Sequence, residues 1–478
     1  MITPALSDLE RRVRRDLELL QYPTRAWVPP RHVAGRRVRD VVIVGGGQNA
    51  VAIAFALRRE GVADIALYDR APAGKVGPWQ SYARMRTLRT PKDTTGPDQG
   101  ISSLTPRAWY EARFGLEAWD RLGRIPRGVW FEYLGWLRRV LDISVTQGVA
   151  VTGLAPAGPG LVQVSLSEGA PVLARQVVLA TGIDGGGAWT VPAVLAGLPA
   201  ERRAHTSEEI DFAALRGRRV LVVGGGASAF DNAATALEAG ARRVDLLVRR
   251  AELPRANPNR WMEFAGFMRH YADLDDARRW RMMKVIFDRN QPPPQDTYER
   301  CAVWPGFGLT CGAPVRDARM EGGEVVIDTP AGVFRGDFVI AGTGLRADLG
   351  ARDETRGLAP HVALWADRYT PPPGEACAAL AECPYLSPSF QLQPKGAEMA
   401  DTLARIRLFS FSAMPSLAAS AGISVMKFAV ERVVRGITRQ FFDEDFEAHL
   451  ASLHAYDEPE LVLPGDAAAA RPEPAALP

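Results

Sequence analysis

Residues 41–50 read VVIVGGGQNA, and residues 220–229 repeat the pattern as VLVVGGGASA. In each stretch a run of apolar residues precedes three glycines, and an alanine-rich segment follows. This order predicts a buried strand, a tight turn and a helix. A G-x-G-x-x-G/A spacing at such a turn lets the backbone approach a pyrophosphate, which then lies at the helix N-terminus. The chain is therefore expected to hold two dinucleotide sites.

Each residue of the glycine motif has its own purpose. At the first turn Gly45 permits the tight turn, Gly47 lets the backbone come close to the phosphates, and the small Ala50 lets the helix close on the strand. Asn49, inside the same motif, is a further expected cofactor contact. The contacts expected at the second turn are Gly224, Gly226, Ser228 and Ala229.

The two sites differ in the charge of the residues that end the following strand. After the first turn that strand ends in Asp69, followed by Arg70, both expected cofactor contacts. A carboxylate accepts hydrogen bonds from ribose hydroxyls and repels a 2′-phosphate. After the second turn the strand runs into Arg249 and Arg250, whose guanidinium groups pair well with a phosphate. We expect a phosphate-free adenosine ribose at the first site and NADPH at the second.

Composition and charge bound the class of protein. With 478 residues, of which 47% are hydrophobic, the chain is long enough for two or three domains with a large buried core. The 58 basic and 55 acidic residues leave a formal net charge of +3, so nucleic-acid binding is not expected. Apolar stretches of membrane-spanning length and a signal peptide are both absent from the sequence, which favours a cytoplasmic location away from membranes.

Cysteine and histidine spacing excludes two kinds of chemistry. The four cysteines form no C-x-x-C or C-x-x-x-x-C pair, so the sequence does not predict a flavoprotein disulfide reductase. The six histidines stand at no ligand spacing with cysteines or carboxylates, so no metal site is expected. The cysteines, interpreted as idle thiols, are Cys301, Cys311, Cys377 and Cys383.

Two related strand-and-turn segments indicate where the chain crosses between domains. The first ends at Thr181 and Gly182, and the second ends at Gly344. The pattern predicts an α/β fold with two Rossmann-like dinucleotide-binding domains, the second inserted in the first. The expected divisions are an N-terminal arm at 1–35, an FAD-binding domain at 36–200 and 340–455, an NADPH-binding domain at 201–339 with an insertion at 255–314, and a disordered tail at 456–478.

Several segments together resemble the single-chain flavin monooxygenases that hold two dinucleotides. That family includes N-hydroxylating monooxygenases, flavin-containing monooxygenases and Baeyer–Villiger enzymes. The resemblance covers about residues 37–442 and rests on both glycine turns, on residues 74–79, on RMRTLRTPKD at 84–93 and on IPRGVWFEYLGWL at 125–137. It implies FAD at the first site and NADPH at the second.

The resemblance also implies roles for residues outside the glycine motifs. Gly77 and Trp79 help to seat the flavin. The loop at 86–90 runs along the flavin ring and the nicotinamide, and Arg86 is the expected catalytic residue. The remaining expected cofactor contacts are Thr87, Leu88, Thr181, Gly182, Gly344 and Gly422.

The implied activity is that of a monooxygenase. NADPH reduces FAD, O2 adds at flavin C4a, and the hydroperoxyflavin hydroxylates a small molecule. The expected reaction is N-hydroxylation of an amine or amino acid, or hydroxylation of a heteroaromatic ring such as a purine. The layout also suits a flavin-dependent NADPH oxidoreductase or oxidase that uses an acceptor other than a disulfide, or a nucleotide-binding sensor without catalysis.

Two segments are left unexplained by nucleotide binding. The insertion at 255–314 and the loop after residue 350 are therefore expected to wall the substrate pocket. Within the insertion, Trp261, Phe264 and Tyr271 recur at helical spacing, which favours a place in the core. The N-terminal arm is expected to pack on the chain or to form a contact in a homo-oligomer.

Overall fold

The computed structural model describes residues 4–418 and 422–461. Most of the tail that the sequence predicts to be disordered therefore lies outside the described residues. Among the described residues, no helix combines the length and apolar character that crossing a bilayer requires.

Strands occur throughout the chain. In chain order they are β1 (Arg31–Val33), β2 (Arg36–Val44), β3 (Ile65–Asp69), β4 (Thr146–Gln147), β5 (Val151–Pro156), β6 (Val162–Leu166), β7 (Val172–Gly182), β8 (Gly187–Trp189), β9 (Arg203–His205), β10 (Arg219–Val223), β11 (Arg243–Val248), β12 (Phe307–Cys311), β13 (Asp317–Glu321), β14 (Glu324–Thr329), β15 (Gly332–Gly336), β16 (Phe338–Ala341), β17 (Leu345–Ala347) and β18 (Ile406–Ser410).

Helices range from one turn to 22 residues. In chain order they are α1 (Pro4–Leu19), α2 (Gln48–Arg59), α3 (Pro106–Phe114), α4 (Leu116–Arg121), α5 (Arg127–Val140), α6 (Ala193–Ala196), α7 (Ala227–Glu238), α8 (Pro258–Trp261), α9 (Ala265–His270), α10 (Asp276–Arg289), α11 (Gln295–Ala302), α12 (Asp353–Arg356), α13 (Trp365–Arg368), α14 (Ala378–Ala381), α15 (Ala400–Leu403), α16 (Met414–Leu417), α17 (Ile423–Glu444) and α18 (Phe446–His454).

The first sheet is built around β2, the strand that leads into the first glycine turn. It runs in the order β4-β3-β2-β7-β6-β5, and β18 pairs with the carboxyl-terminal half of β7. The pairs of β2 with β3 and with β7 are parallel. Because the chain continues from β2 to β3 on one side and reaches β7 on the other, the carboxyl end of β2 is a topological switch point, where α/β proteins bind ligands.

The second sheet is built around β10, the strand that leads into the second glycine turn. Its order is β12-β11-β10-β16-β9, and every pair is parallel. All five strands lie between β7 and β18 in the sequence, so the second sheet is formed by chain that interrupts the first. The α/β class predicted from the sequence is confirmed.

Two helices at the ends of the chain complete the core of the first sheet. The N-terminal helix α1 buries Leu6, Leu9 and Val13, so the arm packs on its own chain. The long helix α17 packs against α2, and its buried residues recur every three or four positions from Ile423 to Phe441. A shorter helix, α18, follows α17.

The aromatic stripe in the insertion is only partly core. Tyr271 is buried, but Trp261 is 58% exposed and Phe264 is 48% exposed. The interpretation of these two residues as core is wrong because the segment is not one helix. It breaks between α8 and α9, where Phe264 has extended backbone angles (φ −130°, ψ 149°).

A buried arginine ties the first sheet to the end of α17. The side chain of Arg175, on β7, is 1% exposed and pairs with Glu444 at 3.0 Å and Asp445 at 2.8 Å. Its guanidinium also lies over the ring of Phe441, 4.3 Å from the centroid. Removing one member of a buried ion pair leaves uncompensated charge, which costs more than the pair itself contributes.

We expect Arg175→Ala to lower the thermal unfolding midpoint by several degrees, because it removes a buried guanidinium and takes this partner from Asp445, whose side chain is only 18% exposed. Differential scanning calorimetry measures this. The matched control is Arg439→Ala, whose side chain is 82% exposed and 3.6 Å from Asp443. An exposed pair contributes about 0–1 kcal/mol, so the control should change little. Equal shifts for the two variants would contradict this account of Arg175.

Candidate functional site

A cavity of about 940 Å³, here called the main cavity, lies at the carboxyl ends of β2, β3 and β7. Its lining also includes residues from the loop that follows β3, from the insertion, and from the N-terminus of α17. The predicted site residues that line it are Gly45, Gly47, Asn49, Asp69, Arg70, Gly77, Trp79, Thr181, Gly182 and Gly422.

The first glycine turn presses against the end of β7. Gly45 has φ +113°, and a Cβ there would lie 2.4 Å from the carbonyl oxygen of Ala180. Any side chain at this position would force the turn away from the sheet. By contrast, a Cβ at Gly47 would meet no protein atom within 4 Å, so this glycine faces open space at the start of α2.

Asp69 is held in a defined orientation beside this turn. One carboxylate oxygen accepts a hydrogen bond from the Gly46 amide and the other accepts one from the Ala71 amide, each at 2.7 Å. Each oxygen keeps a further lone pair. The carboxylate at the end of β3 is therefore able to accept hydrogen bonds from hydroxyl groups in the cavity.

Two further residues test whether the main cavity suits a dinucleotide. Asn49 is 3% exposed, and its side-chain oxygen is buried with no hydrogen-bond partner among the described residues. A buried polar atom without a partner beside a cavity points to a ligand that supplies one. Trp79 is 9% exposed and packs edge-on against Trp130 while still reaching the cavity. These residues fit an extended dinucleotide such as FAD.

The carboxyl-terminal part of the chain supplies the opposite wall. Gly422 is the N-cap of α17, with φ −76° and ψ 152°, and it lines the cavity together with Ser424 and Val425. Phe411 and Met414, which follow β18, contribute apolar surface.

The second glycine turn has the same geometry as the first. Gly224 has φ +138°, and a Cβ there would lie 2.1 Å from the carbonyl oxygen of Gly342. Ala229 is fully buried, and a Cβ on Gly342 would lie 2.6 Å from its methyl group. Gly226 caps the N-terminus of α7, and a Cβ there would meet nothing within 4 Å. This turn lies outside the main cavity and faces solvent.

Arg249 and Arg250 follow β11 and are both exposed. Arg250 donates a hydrogen bond to the backbone carbonyl of Asp288 at 3.0 Å. Arg249 makes no hydrogen bond or ion pair within the described part of the chain. Of the two guanidinium groups, that of Arg249 is the one available to a ligand at the second turn.

The loop predicted to run along the flavin divides into two parts. Arg86, the expected catalytic residue, points away from the main cavity and pairs with Glu238 on α7 at 2.9 Å. Leu88 is 3% exposed, and its amide donates to the carbonyl of Ile125, so it is core. Thr87 forms a backbone bridge with Pro126. Arg89, three positions after Arg86, does line the cavity.

Ten of the predicted site residues therefore lie outside the main cavity. Gly344, between β16 and β17, accepts hydrogen bonds from Thr190 and belongs to the crossing between the sheets. The predicted residues outside the cavity are Arg86, Thr87, Leu88, Gly224, Gly226, Ser228, Ala229, Arg249, Arg250 and Gly344.

A polar cluster in the cavity wall had no local sequence signal. Asp184 is 7% exposed and pairs with Arg70 at 3.1 Å and with Arg352 at 3.6 Å. Arg352 also lies 3.4 Å from Glu354. Burial, and then the charge of Asp184, raise the pKa of the nearby Tyr82 hydroxyl well above its usual value, so it stays protonated. These groups are distant in sequence and meet only through the fold.

The insertion, which the sequence predicts to wall the substrate pocket, contributes residues to the lining of the main cavity. The contributing residues are mainly polar, and two of their amides are paired, since the Asn259 side-chain amide donates to the Gln291 side-chain oxygen at 3.2 Å. The insertion residues in the lining are Asn257, Asn259, Arg260, Met262, Glu263, Met268 and Gln291.

The cysteines take no part in the cavity. All four are free, and none lines the main cavity. Burial raises the pKa of both Cys301 and Cys383 to about 12, which keeps these thiols protonated and unreactive. Within the described ranges, no group of three or more His, Cys, Asp or Glu side chains is arranged to hold a metal ion.

Comparisons with known proteins agree with this geometry. The family model of pyridine nucleotide-disulphide oxidoreductases matches residues 39–268. An FAD-dependent urate hydroxylase of Xanthomonas campestris pv. campestris is 45% identical over 462 residues, which cover 96% of this chain and 98% of that protein.

Two solved structures share the fold. The ornithine N-hydroxylase of Kutzneria sp. 744 aligns with a TM-score of 0.65 at 18% identity, covering 84% of this chain and 99% of that one. The L-lysine 6-monooxygenase from Pseudomonas syringae aligns with a TM-score of 0.65 at 19% identity, with the same coverage.

The relative that matches nearly the whole chain at 45% identity shows the family. The resemblance inferred from the motifs is confirmed. This chain belongs to the single-component, FAD-dependent flavoprotein monooxygenases.

Proposed function

We propose that this enzyme hydroxylates urate, with FAD in the main cavity and NADPH at the second glycine turn. The observation that carries the substrate is the 45% identity, over nearly the whole of both chains, to a protein named FAD-dependent urate hydroxylase. A purine was among the substrates considered from the sequence. The ornithine and lysine hydroxylases share only the fold, at 18–19% identity, so their substrates are not transferred.

The residues of the main cavity have distinct tasks in this proposal. The first glycine turn and the N-terminus of α2 bind the pyrophosphate, and Asp69 binds the adenosine ribose. When reduced, FAD supplies the activation of O2 and the transfer of one oxygen atom to the substrate. The insertion and the N-terminus of α17 exclude water from the reacting groups.

The insertion wall suits a purine with several N–H and C=O groups. A side-chain amide offers both a donor and an acceptor, and such groups match the alternating edge of an oxidised purine. Asn257, Asn259 and Gln291 are the amides in this wall. Asn259 and Gln291 are held by their mutual hydrogen bond, which reduces the entropy lost when a ligand binds.

The proposal also covers partners and location. The partners are O2 and the small-molecule substrate, with neither nucleic acid nor membrane among them, and the location is the cytoplasm. A homo-oligomer is part of the proposal as well, although α1 buries its apolar residues against its own chain. Contacts between copies would then use other faces of the arm.

Urate should stimulate NADPH oxidation by the FAD-loaded enzyme, with one O2 consumed per urate converted. Under ¹⁸O2 gas, mass spectrometry should find one labelled oxygen atom in the purine product. Ornithine and lysine serve as negative controls, since their hydroxylases share only the fold. Stoichiometric hydrogen peroxide with unchanged urate would instead indicate the NADPH oxidase considered from the sequence.

The two glycines at the helix N-termini provide a matched pair of variants. Gly47 has φ −77° and Gly226 has φ −86°, and an added methyl group meets no protein atom at either position. Gly47→Ala should weaken FAD binding by roughly 10-fold or more, because the methyl group enters the space assigned to the phosphates. Gly226→Ala should leave FAD content unchanged and raise the KM for NADPH.

Flavin absorbance after reconstitution and steady-state kinetics separate these two effects. Both variants place alanine at a helix N-cap, so the local cost to folding is matched. Similar losses of FAD in both variants would contradict the assignment of the two turns.

Replacing both Arg249 and Arg250 by alanine should weaken NADPH binding by about 10- to 150-fold while the KM for NADH stays nearly constant. Among single variants, Arg249→Ala should account for most of the loss, because Arg250 is engaged with the carbonyl of Asp288. Steady-state kinetics with each coenzyme measure this preference. Equal losses with NADPH and NADH would show that the 2′-phosphate binds elsewhere.

A further inference from the structure

We propose that Arg89 binds the anionic purine substrate and that Asp231, on the helix of the second glycine turn, is its positioning residue. This inference rests on the proposed function, because it takes urate as the substrate. The sequence-based expectation placed catalysis at Arg86 in the same loop. The contacts of the two side chains favour Arg89 instead.

Arg89 differs from the other arginines of the main cavity in where its counter-charge lies. Within the described residues four arginines line the cavity. Arg70, Arg260 and Arg352 pair with Asp184, Glu263 or Glu354, and these carboxylates also line the cavity. Arg89 pairs with Asp231 at 2.7 Å, and Asp231 does not line the cavity. Arg89 therefore brings positive charge to the cavity without a carboxylate beside it there.

The guanidinium of Arg89 also has unused donor capacity. Its Nη2 is bonded to Asp231, while its buried Nε has no hydrogen-bond partner among the described residues. The side chain is 35% exposed, so part of it remains accessible from the cavity. A planar guanidinium with free donors suits bidentate recognition of a planar anion.

The carboxylate of Asp231 is fixed from several sides. Its side chain is 3% exposed, and besides Arg89 it accepts a hydrogen bond from the Thr297 hydroxyl at 3.2 Å. Arg300 also donates to it, at 3.4 Å. Because Asp231 lies on α7 and two of its three donors, Thr297 and Arg300, lie on α11, the carboxylate is held between two helices. Asp231 therefore restricts the position of the Arg89 guanidinium.

The surroundings of this pair carry an excess of positive charge. Arg300 and Arg86 both pair with Glu238, and Arg127 lies close enough to Asp231 to interact electrostatically. Four guanidinium groups, counting Arg89, thus share two carboxylates. Such a cluster favours an anionic ligand over a neutral or cationic one.

Urate fits this environment because it is a planar monoanion at neutral pH. Asp231 lies on α7, the helix that starts at the second glycine turn, so Arg89 stands on the side of the cavity that faces that turn. Asp69, assigned to the adenosine ribose, belongs to the other nucleotide unit. We therefore expect the flavin ring, the nicotinamide and the substrate to lie together on the side of the cavity where Arg89 stands.

The test uses the FAD-loaded, full-length enzyme, four variants of Arg89 and Asp231, and one control variant. Arg89→Gln should raise the KM and the dissociation constant for urate about 10- to 100-fold, measured by kinetics and by the perturbation of flavin absorbance. Arg89→Lys, which keeps the charge but loses the planar fork, should give a smaller increase. FAD content should stay as in the wild type, because the first glycine turn and Asp69 bind that cofactor in the proposed function.

Asp231→Asn should raise the KM for urate by at least about 5-fold. Asp231→Glu should raise this KM less, because it keeps the negative charge. The matched control is Glu238→Gln, which removes the other carboxylate of the cluster without touching Arg89. This control should leave the KM for urate near the wild-type value.

The outcomes separate this inference from the proposed function. If the wild type does not hydroxylate urate, the proposed function fails and the inference fails with it. If the wild type hydroxylates urate but Arg89→Gln keeps the wild-type KM, only the inference is overturned. A change in the flavin reduction potential with an unchanged urate affinity would mean that Arg89 acts on the cofactor ring, and this result also overturns the inference.

Discussion

The close approach of each glycine turn to a neighbouring strand is the constraint on which the molecule depends. At both turns the backbone has positive φ and lies so near a carbonyl oxygen that a Cβ would come within 2.4 Å at Gly45 and 2.1 Å at Gly224. This packing sets the direction of the following helix, so that its N-terminus lies at the carboxyl edge of the sheet. In the proposed function, backbone amides and the helix dipole, rather than side-chain cations, bind the pyrophosphate at each turn.

The second sheet is formed by chain that leaves the first sheet after β7 and returns at β18. This arrangement brings the loop at 86–90 against α7, so one loop contacts both nucleotide units. The ion pair between Arg89 and Asp231 crosses that junction at 2.7 Å. The second ion pair of this loop with α7, between Arg86 and Glu238, spans 2.9 Å, so two charged contacts join the loop to the helix.

Much of the fold could be predicted from the sequence because its signals are local. Strand, turn and helix at Gly45 and Gly224 follow from residues within a ten-residue window, and so does the acidic end of β3 at Asp69. The choice between Arg86 and Arg89 could not be predicted. Both are arginines in the same loop, and the sequence gives no sign of their partners. In the fold Arg86 pairs with Glu238 and lies outside the cavity, whereas Arg89 pairs with Asp231 and lines the cavity.

The amino-acid sequence alone determined the α/β class, the two nucleotide turns and the opposite charges that follow them, because each depends on neighbours along the chain. The tertiary structure alone decided which residues surround the main cavity far from those turns. The whole second sheet lies between Asp184 and Arg352 in the sequence, yet these side chains lie 3.6 Å apart. Contacts of this kind arise when separate segments pack together, and no local pattern in the sequence encodes them.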